Sequence, residues 1–158
     1  MKILGIDPGS NITGFGIIEI EKNSASYVSS GCINVSKFNV QQRMSNIYCS
    51  LIEIIDKYSP NLVAIESVFV FKNPNSALKL SQARGAALAA VGSRDLTIKE
   101  YSPREVKKYA SGYGGASKDC VKSMVVKILS LNGNPQKDAA DALGVALCCF
   151  IKSSKLKI

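Results

Sequence analysis

Along this chain the spacing of apolar and polar positions predicts most elements before composition is considered. In Lys2–Asp7, apolar Ile3, Leu4 and Ile6 predict a strand that ends in a carboxylate. Pro8-Gly9-Ser10-Asn11 is a turn sequence, and Ile12–Ile20 reads as a second strand returning beside the first. After Lys22-Asn23-Ser24, Ala25–Val35 reads as a third, and hairpin spacing makes the three antiparallel. From Val40 to Tyr58 the period becomes helical: Met44, Ile47, Leu51, Ile54 and Ile55 line one face, and Ser59-Pro60-Asn61 ends the helix. Leu62–Glu66 is a short apolar strand that, like the first, closes on an acid.

Val68–Phe71 continues apolar and reads as a loop. Pro74-Asn75-Ser76 opens an alanine-rich helix over Ala77–Val91. Gly85 inside it costs about 1 kcal/mol against alanine, which implies close packing there. Leu96–Tyr101 is a fifth strand, and Ser102-Pro103 caps a short helix through Tyr109. Ser111–Ser117 is a glycine-rich loop; Lys118–Leu131 and Gln136–Phe150 are the last helices, parted by Asn132-Gly133-Asn134-Pro135. This order predicts an α/β fold, a mixed five-stranded sheet (three antiparallel strands plus two parallel) with helices on both faces. One domain is expected over residues 1–151, with a short basic tail at 152–158.

Composition narrows the class. The 158 residues suffice for a real core, and hydrophobic residues make up 46%. No apolar run approaches the roughly 18 residues of a membrane span, and the start runs into a strand without a signal-peptide pattern. A cytoplasmic protein is expected. The five cysteines, Cys32, Cys49, Cys120, Cys148 and Cys149, are odd in number and lack CxxC spacing. This argues against a disulfide framework or a zinc site and for free thiols, most of them buried. The chain carries 20 Lys and Arg against 12 Asp and Glu, a net charge of +8, with +6 of it in residues 99–158. Such a balance suits a polyanionic partner, nucleic acid foremost.

Against that basic background four acids occupy apolar surroundings: Asp7 and Glu66 at strand ends, Asp138 and Asp141 on the last helix. Functional groups of α/β sheets gather where strands end, and neighbouring parallel strands lie about 4.8 Å apart, so Asp7 and Glu66 can converge on one cation. Asp138 and Asp141, three apart, share a helix face. Capping offers a second reading of Asp138, a weaker one of Asp141, and none of a convergence with the strand acids. Four clustered carboxylates repel unless divalent cations neutralise them. Mg²⁺ suits such an all-oxygen site, and two ions about 3.5–4 Å apart serve phosphodiester hydrolysis. With no histidine in the chain there is no imidazole base, and a cation-activated water is the expected nucleophile.

Gly14 and Gly16 leave one face of the second strand bare, which marks close approach of another backbone. That backbone is either a DNA strand, making Gly14 a contact residue, or the protein's own packing. Phe69, just past Glu66, is placed to stack on a base or wedge into a junction, with core packing as the alternative; Phe71 shares its face. Lys107, Lys108, Lys118 and Lys122 flank the glycine-rich loop, with Lys72, Lys79 and Arg84 as a further basic rim. As a cluster they suit phosphate contacts; singly, each reads as an ordinary solvated side chain.

The residues that carry this chemistry resemble the RuvC family of bacterial Holliday-junction resolvases. The likeness spans the chain: Gly5-Ile6-Asp7-Pro8-Gly9, Ile65-Glu66 with Val68-Phe69, Asn75 through Gly85, Pro103-Arg104-Glu105-Val106-Lys107-Lys108, and Lys137-Asp138-Ala139-Ala140-Asp141-Ala142-Leu143. It implies a ribonuclease H-like fold with Asp7, Glu66, Asp138 and Asp141 as catalytic Mg²⁺ ligands, Mn²⁺ being a substitute. It also implies a homodimer that nicks opposing strands of a four-way junction symmetrically, prefers a T-rich sequence, and leaves 5′-phosphate and 3′-hydroxyl ends. RuvA and RuvB are the implied partners, Phe69 the residue that disturbs junction pairing, and Lys107 and Lys118 the DNA-contacting lysines. Where some members carry histidine on the last helix, this chain has the all-carboxylate version and Cys148-Cys149-Phe150. The alanine-rich helix is a candidate interface. Rival readings are another nuclease of the same fold, a noncatalytic junction binder, and an actin-like ATPase, which needs a second domain.

Overall fold

The computed structural model describes residues 1–67 and 73–154. The Val68–Phe71 loop, Phe69, Phe71, Lys72, Lys155 and Lys157 lie outside the described residues. Strands β1 (Lys2–Asp7), β2 (Ile12–Glu21), β3 (Ser24–Asn34), β4 (Leu62–Glu66) and β5 (Ile98–Tyr101) form one sheet in the order β3-β2-β1-β4-β5. β1–β2 and β2–β3 pair antiparallel, β1–β4 and β4–β5 parallel, as the hairpin spacing and the helical crossovers predict.

Side chains alternate across β1 and β4, so each strand serves both faces. Leu4, Ile6, Val63 and Ile65 pack with α1 (Val40–Tyr58) and α2 (Pro74–Gly92). Ile3 and Ala64 pack on the other face with α3 (Pro103–Ser111), α4 (Lys118–Ile128) and α5 (Lys137–Ser154). By the same alternation Asp7 and Glu66 project on the α5 side. Ile6 pairs with Ile65, so the two acids stand at adjacent strand tips.

α5 is buried from Ala139 to Ile151. It lies directly on a bed of glycines. A Cβ on Gly5 would collide with the Ala142 carbonyl and stand 2.8 Å from the Ala146 nitrogen. One on Gly16 would sit 2.7 Å from Leu143 Cγ, and one on Gly14 would strike the Asp138 carbonyl. The expectation that Gly14 makes room for DNA is therefore corrected: its space is taken by the first turn of α5.

The tip of β1 is fastened from the opposite side of the sheet. Arg43 on α1 donates to Phe38 O at 2.7 Å, Ser36 O at 2.9 Å, Ser10 O at 3.1 Å and Asn11 Oδ1 at 2.8 Å. Buried Thr13 donates to Gly9 O at 3.2 Å within the same turn.

Three further expectations change. The last helix runs on through Ser154, and Lys152, read as tail, donates to Glu105 Oε1 at 2.7 Å. That bond, with the Ser102 capping box, holds the Glu105 carboxyl down at about 2 and ties α3 to the end of α5. Of the thiols only Cys148 and Cys149 are buried; Cys49 and Cys120 are exposed, because they fall on the outer faces of α1 and α4. Burial pushes the Cys148 thiol up to about 12. Finally, Gly85 is exposed rather than closely packed: among the described residues a Cβ there meets no atom within 4 Å.

Candidate active site

The carboxylates meet where β1, β4 and α5 come together. The Asp7 and Glu66 carboxyls lie close enough to act on each other's ionisation. Burial, then the charges of Glu66 and Asp141, raise the Asp7 carboxyl to about 8, although Lys118 opposes the shift. Burial also raises Glu66, against the pull of Asp7, Lys118 and Lys107. Asp141, one turn into α5, accepts from Lys118 Nζ at 3.0 Å.

Glu66, Asp141, Lys107 and Lys118 line a cavity of about 300 Å³ whose floor is Pro103, Val106 and Val121. α3 and α4 deliver the two lysines; Ser102 and Ser117 cap those helices and fix their starts. A larger hollow of about 460 Å³ lies between β3 and residues 129–135, but no charged side chain lines it.

Not every candidate joins this cluster. Asp138 does not line the cavity; its carbonyl lies against Gly14, and its charge, like that of Asp7, acts on the Cys32 thiol, which burial raises. Lys108 and Lys122 are outside the cavity lining, and Lys108 Nζ lies 5.7 Å from the Tyr109 ring centroid. Arg84 is bound to Glu100 Oε2 at 2.6 Å with its side chain 22% exposed, so it pins α2 to β5 rather than standing free for phosphate. Lys79 lines a separate groove with Phe38, Val40 and Arg43.

Two residues near the site escaped sequence reasoning. Cys32 is brought beside it by the Gly14–Cys32 pairing, which hairpin register alone would have indicated. Arg43 gave no signal, since two of its oxygen partners, Ser10 and Asn11, are distant in sequence and the nearer two, Ser36 and Phe38, are backbone carbonyls.

Among the described residues no group of three or more acids, cysteines or histidines is drawn up to ligate a metal. The interactions present account for this: Lys118 engages Asp141, and Asp7 engages Glu66. The donor set nonetheless fits a hard divalent cation. It is all carboxylate, and a strand-end acid raised to about 8 signals negative charge that the protein's own cations leave uncompensated.

That shift has a measurable consequence. Unfolded, Asp7 loses its proton near 3.8; folded, near 8. The folded state binds the extra proton, so the associated stability is fully present below the lower value and lost as pH rises through the upper one. The metal-free melting temperature is expected to fall across this window, less steeply in Asp7→Asn. A metal-free profile that rose across it would contradict the geometry.

The strand order, the helices on both faces and the acid cluster at the tips of β1 and β4 define the ribonuclease H-like class. Comparison with known proteins narrows this. The family model for crossover junction endodeoxyribonuclease RuvC matches residues 3–149. The curated protein of that name from Hydrogenovibrio crunogenus is 52% identical over 147 residues, 93% of this chain and 86% of that protein. The one from Legionella pneumophila strain Lens is 51% identical, over 92% of this chain and 84% of that protein. The structure of Thermus thermophilus RuvC in complex with Holliday junction substrate superposes with a TM-score of 0.90 at 30% identity, covering 98% of this chain and 96% of that one. This chain belongs to the RuvC family.

Proposed function

We propose that this protein is a crossover junction endodeoxyribonuclease that resolves four-way DNA junctions by paired nicks in recombination and repair. The observation that carries the reading is the meeting of Glu66 and Asp141 with Lys107 and Lys118 at one cavity, with Asp7 in the field of both acids, in a chain of this family.

Asp7, Glu66, Asp141 and, from the flank, Asp138 would hold Mg²⁺, two ions per site, with Mn²⁺ as a substitute. When bound, such ions activate water and stabilise the departing oxygen of a phosphodiester. The chain's own residues do the rest. Asp7 holds its proton up to about 8, so it must shed that proton before it can serve as a ligand. Lys107 and Lys118 orient the scissile phosphate at the mouth of the cavity. The apolar wall of Pro103, Val106 and Val121 limits the water that reaches it. The products carry 5′-phosphate and 3′-hydroxyl ends.

Symmetric nicking calls for two sites related by a two-fold axis, hence a homodimer. The outer face of α2 supports this: Leu78, Gln82, Gly85 and Ala89 are exposed at helical spacing, Leu78 by 64%. Gly85→Arg places its side chain in open space within one protomer. It is expected to leave the melting temperature unchanged or raised while sedimentation shifts to monomer; retention of the dimer would remove α2 from the interface. RuvA and RuvB are the expected partners, and work on chromosomal DNA places the protein in the cytoplasm. No helix among the described residues is long and apolar enough to cross a membrane.

The deciding experiment compares Mg²⁺-dependent cleavage of a mobile four-way junction with that of an RNA–DNA hybrid. Paired nicks in the junction alone support the reading, and preference for the hybrid overturns it.

A further inference from the structure

We propose that Lys118 is the resident counter-ion of the acid cluster, displaced from Asp141 by an incoming divalent cation and thereby released to the DNA phosphate. The inference rests on the metal-dependent reading above, and adds a coupling between metal loading and DNA contact.

The placement of Lys118 is what calls for explanation. It occupies the first position of α4, directly after the Ser117 cap, where the helix dipole disfavours a cation. Yet its ammonium reaches across to a carboxylate 23 residues away, at 3.0 Å. The Lys118 side chain is 62% exposed, whereas that of Asp141 is only 19% exposed. A flexible arm thus enters from solvent to meet a covered acid.

One monovalent ammonium cannot neutralise three carboxylates. A divalent ion at the same place compensates more charge and competes for the same Asp141 oxygen. The exchange is easy for the chain. The ammonium rides on a four-carbon stem, and the residue follows a loop with Gly112 at φ +79 and two further glycines, Gly114 and Gly115. Released, the ammonium stays at the mouth of the cavity that Lys107 also lines. Metal and DNA then favour each other, and by linkage each raises the other's affinity.

The test starts without DNA, by calorimetric titration of Mg²⁺ into the full chain. Lys118→Met is expected to bind Mg²⁺ about five- to tenfold more tightly than the parent. Lys107→Met, which removes an equal charge facing Glu66, should change affinity less than about twofold, as expected of a more distant, screened charge. Unchanged or weaker binding in Lys118→Met, or an equal gain in both variants, overturns the proposal. Lys118→Gln, which keeps a polar tip, is expected to behave as Lys118→Met does. The second reading is junction affinity in Ca²⁺ against EDTA. The gain on adding Ca²⁺ should shrink in Lys118→Met, and an undiminished gain overturns the proposal. Absence of Mg²⁺ binding in every variant would remove displacement and the metal reading together. A chain that binds Mg²⁺ as expected yet leaves junctions uncut would lose its assigned reaction and keep the displacement.

Discussion

Asp7→Asn will abolish junction cleavage while leaving junction binding within about twofold of the parent. Asp7 stands at the tip of β1, buried and within the field of Glu66 and Asp141. An amide keeps the shape and much of the hydrogen bonding but cannot supply the negative charge that holds a cation. A loss on the order of a thousandfold, about 4 kcal/mol of barrier, is expected in single-turnover cleavage with Mg²⁺. Binding should survive because the phosphate-facing groups, Lys107 and Lys118, come from α3 and α4 and do not depend on Asp7 for their position. At pH 8 without metal the variant should also melt no lower than the parent, since it no longer buries an acid that resists ionisation. Full cleavage by the Asp7→Asn protein would sink the assignment.

Gly5→Ala is the second large effect, and it acts through structure rather than charge. Its Cβ would collide with the Ala142 carbonyl, and backbone cannot rotate aside as a side chain can. Either β1, the middle strand of the sheet, or buried α5 must move. Overpacking of this kind costs about 3 kcal/mol, which for a chain of this size lowers the melting temperature by about 6–12 °C. Asp138 and Asp141 travel with α5, so cleavage should fall even where the protein stays folded. Gly92→Ala is the control: its Cβ meets no atom within 4 Å, and its melting temperature should match the parent's. Equal melting of the two variants would refute the glycine bed.

What could be read from the sequence was whatever a local period carries. Strand ends at Asp7 and Glu66 follow from apolar runs closing on acids, and the structure agrees to the residue for β1 and β4. The buried last helix followed from its nearly continuous apolar composition. What escaped depends on partners remote along the chain. Gly14 reads equally well as a DNA approach or a packing site until α5 is seen above it. Arg84 reads as a free cation until Glu100, on another element, is seen 2.6 Å away. The acids themselves were named, but their neighbours were not: Asp141 accepts from Lys118, and Asp7 lies buried in the field of Glu66 and Asp141. Spacing on a helix gives a common face; it does not say which neighbour each carboxylate meets.

The four hydrogen bonds of Arg43 tie the turn after β1 to the loop before α1. That turn follows Asp7 directly, so the acidic strand tip and the layer on the far side of the sheet are clamped as one piece. A thermal fluctuation that loosened the start of α1 would therefore be felt at the acid cluster on the opposite face, through a single guanidinium.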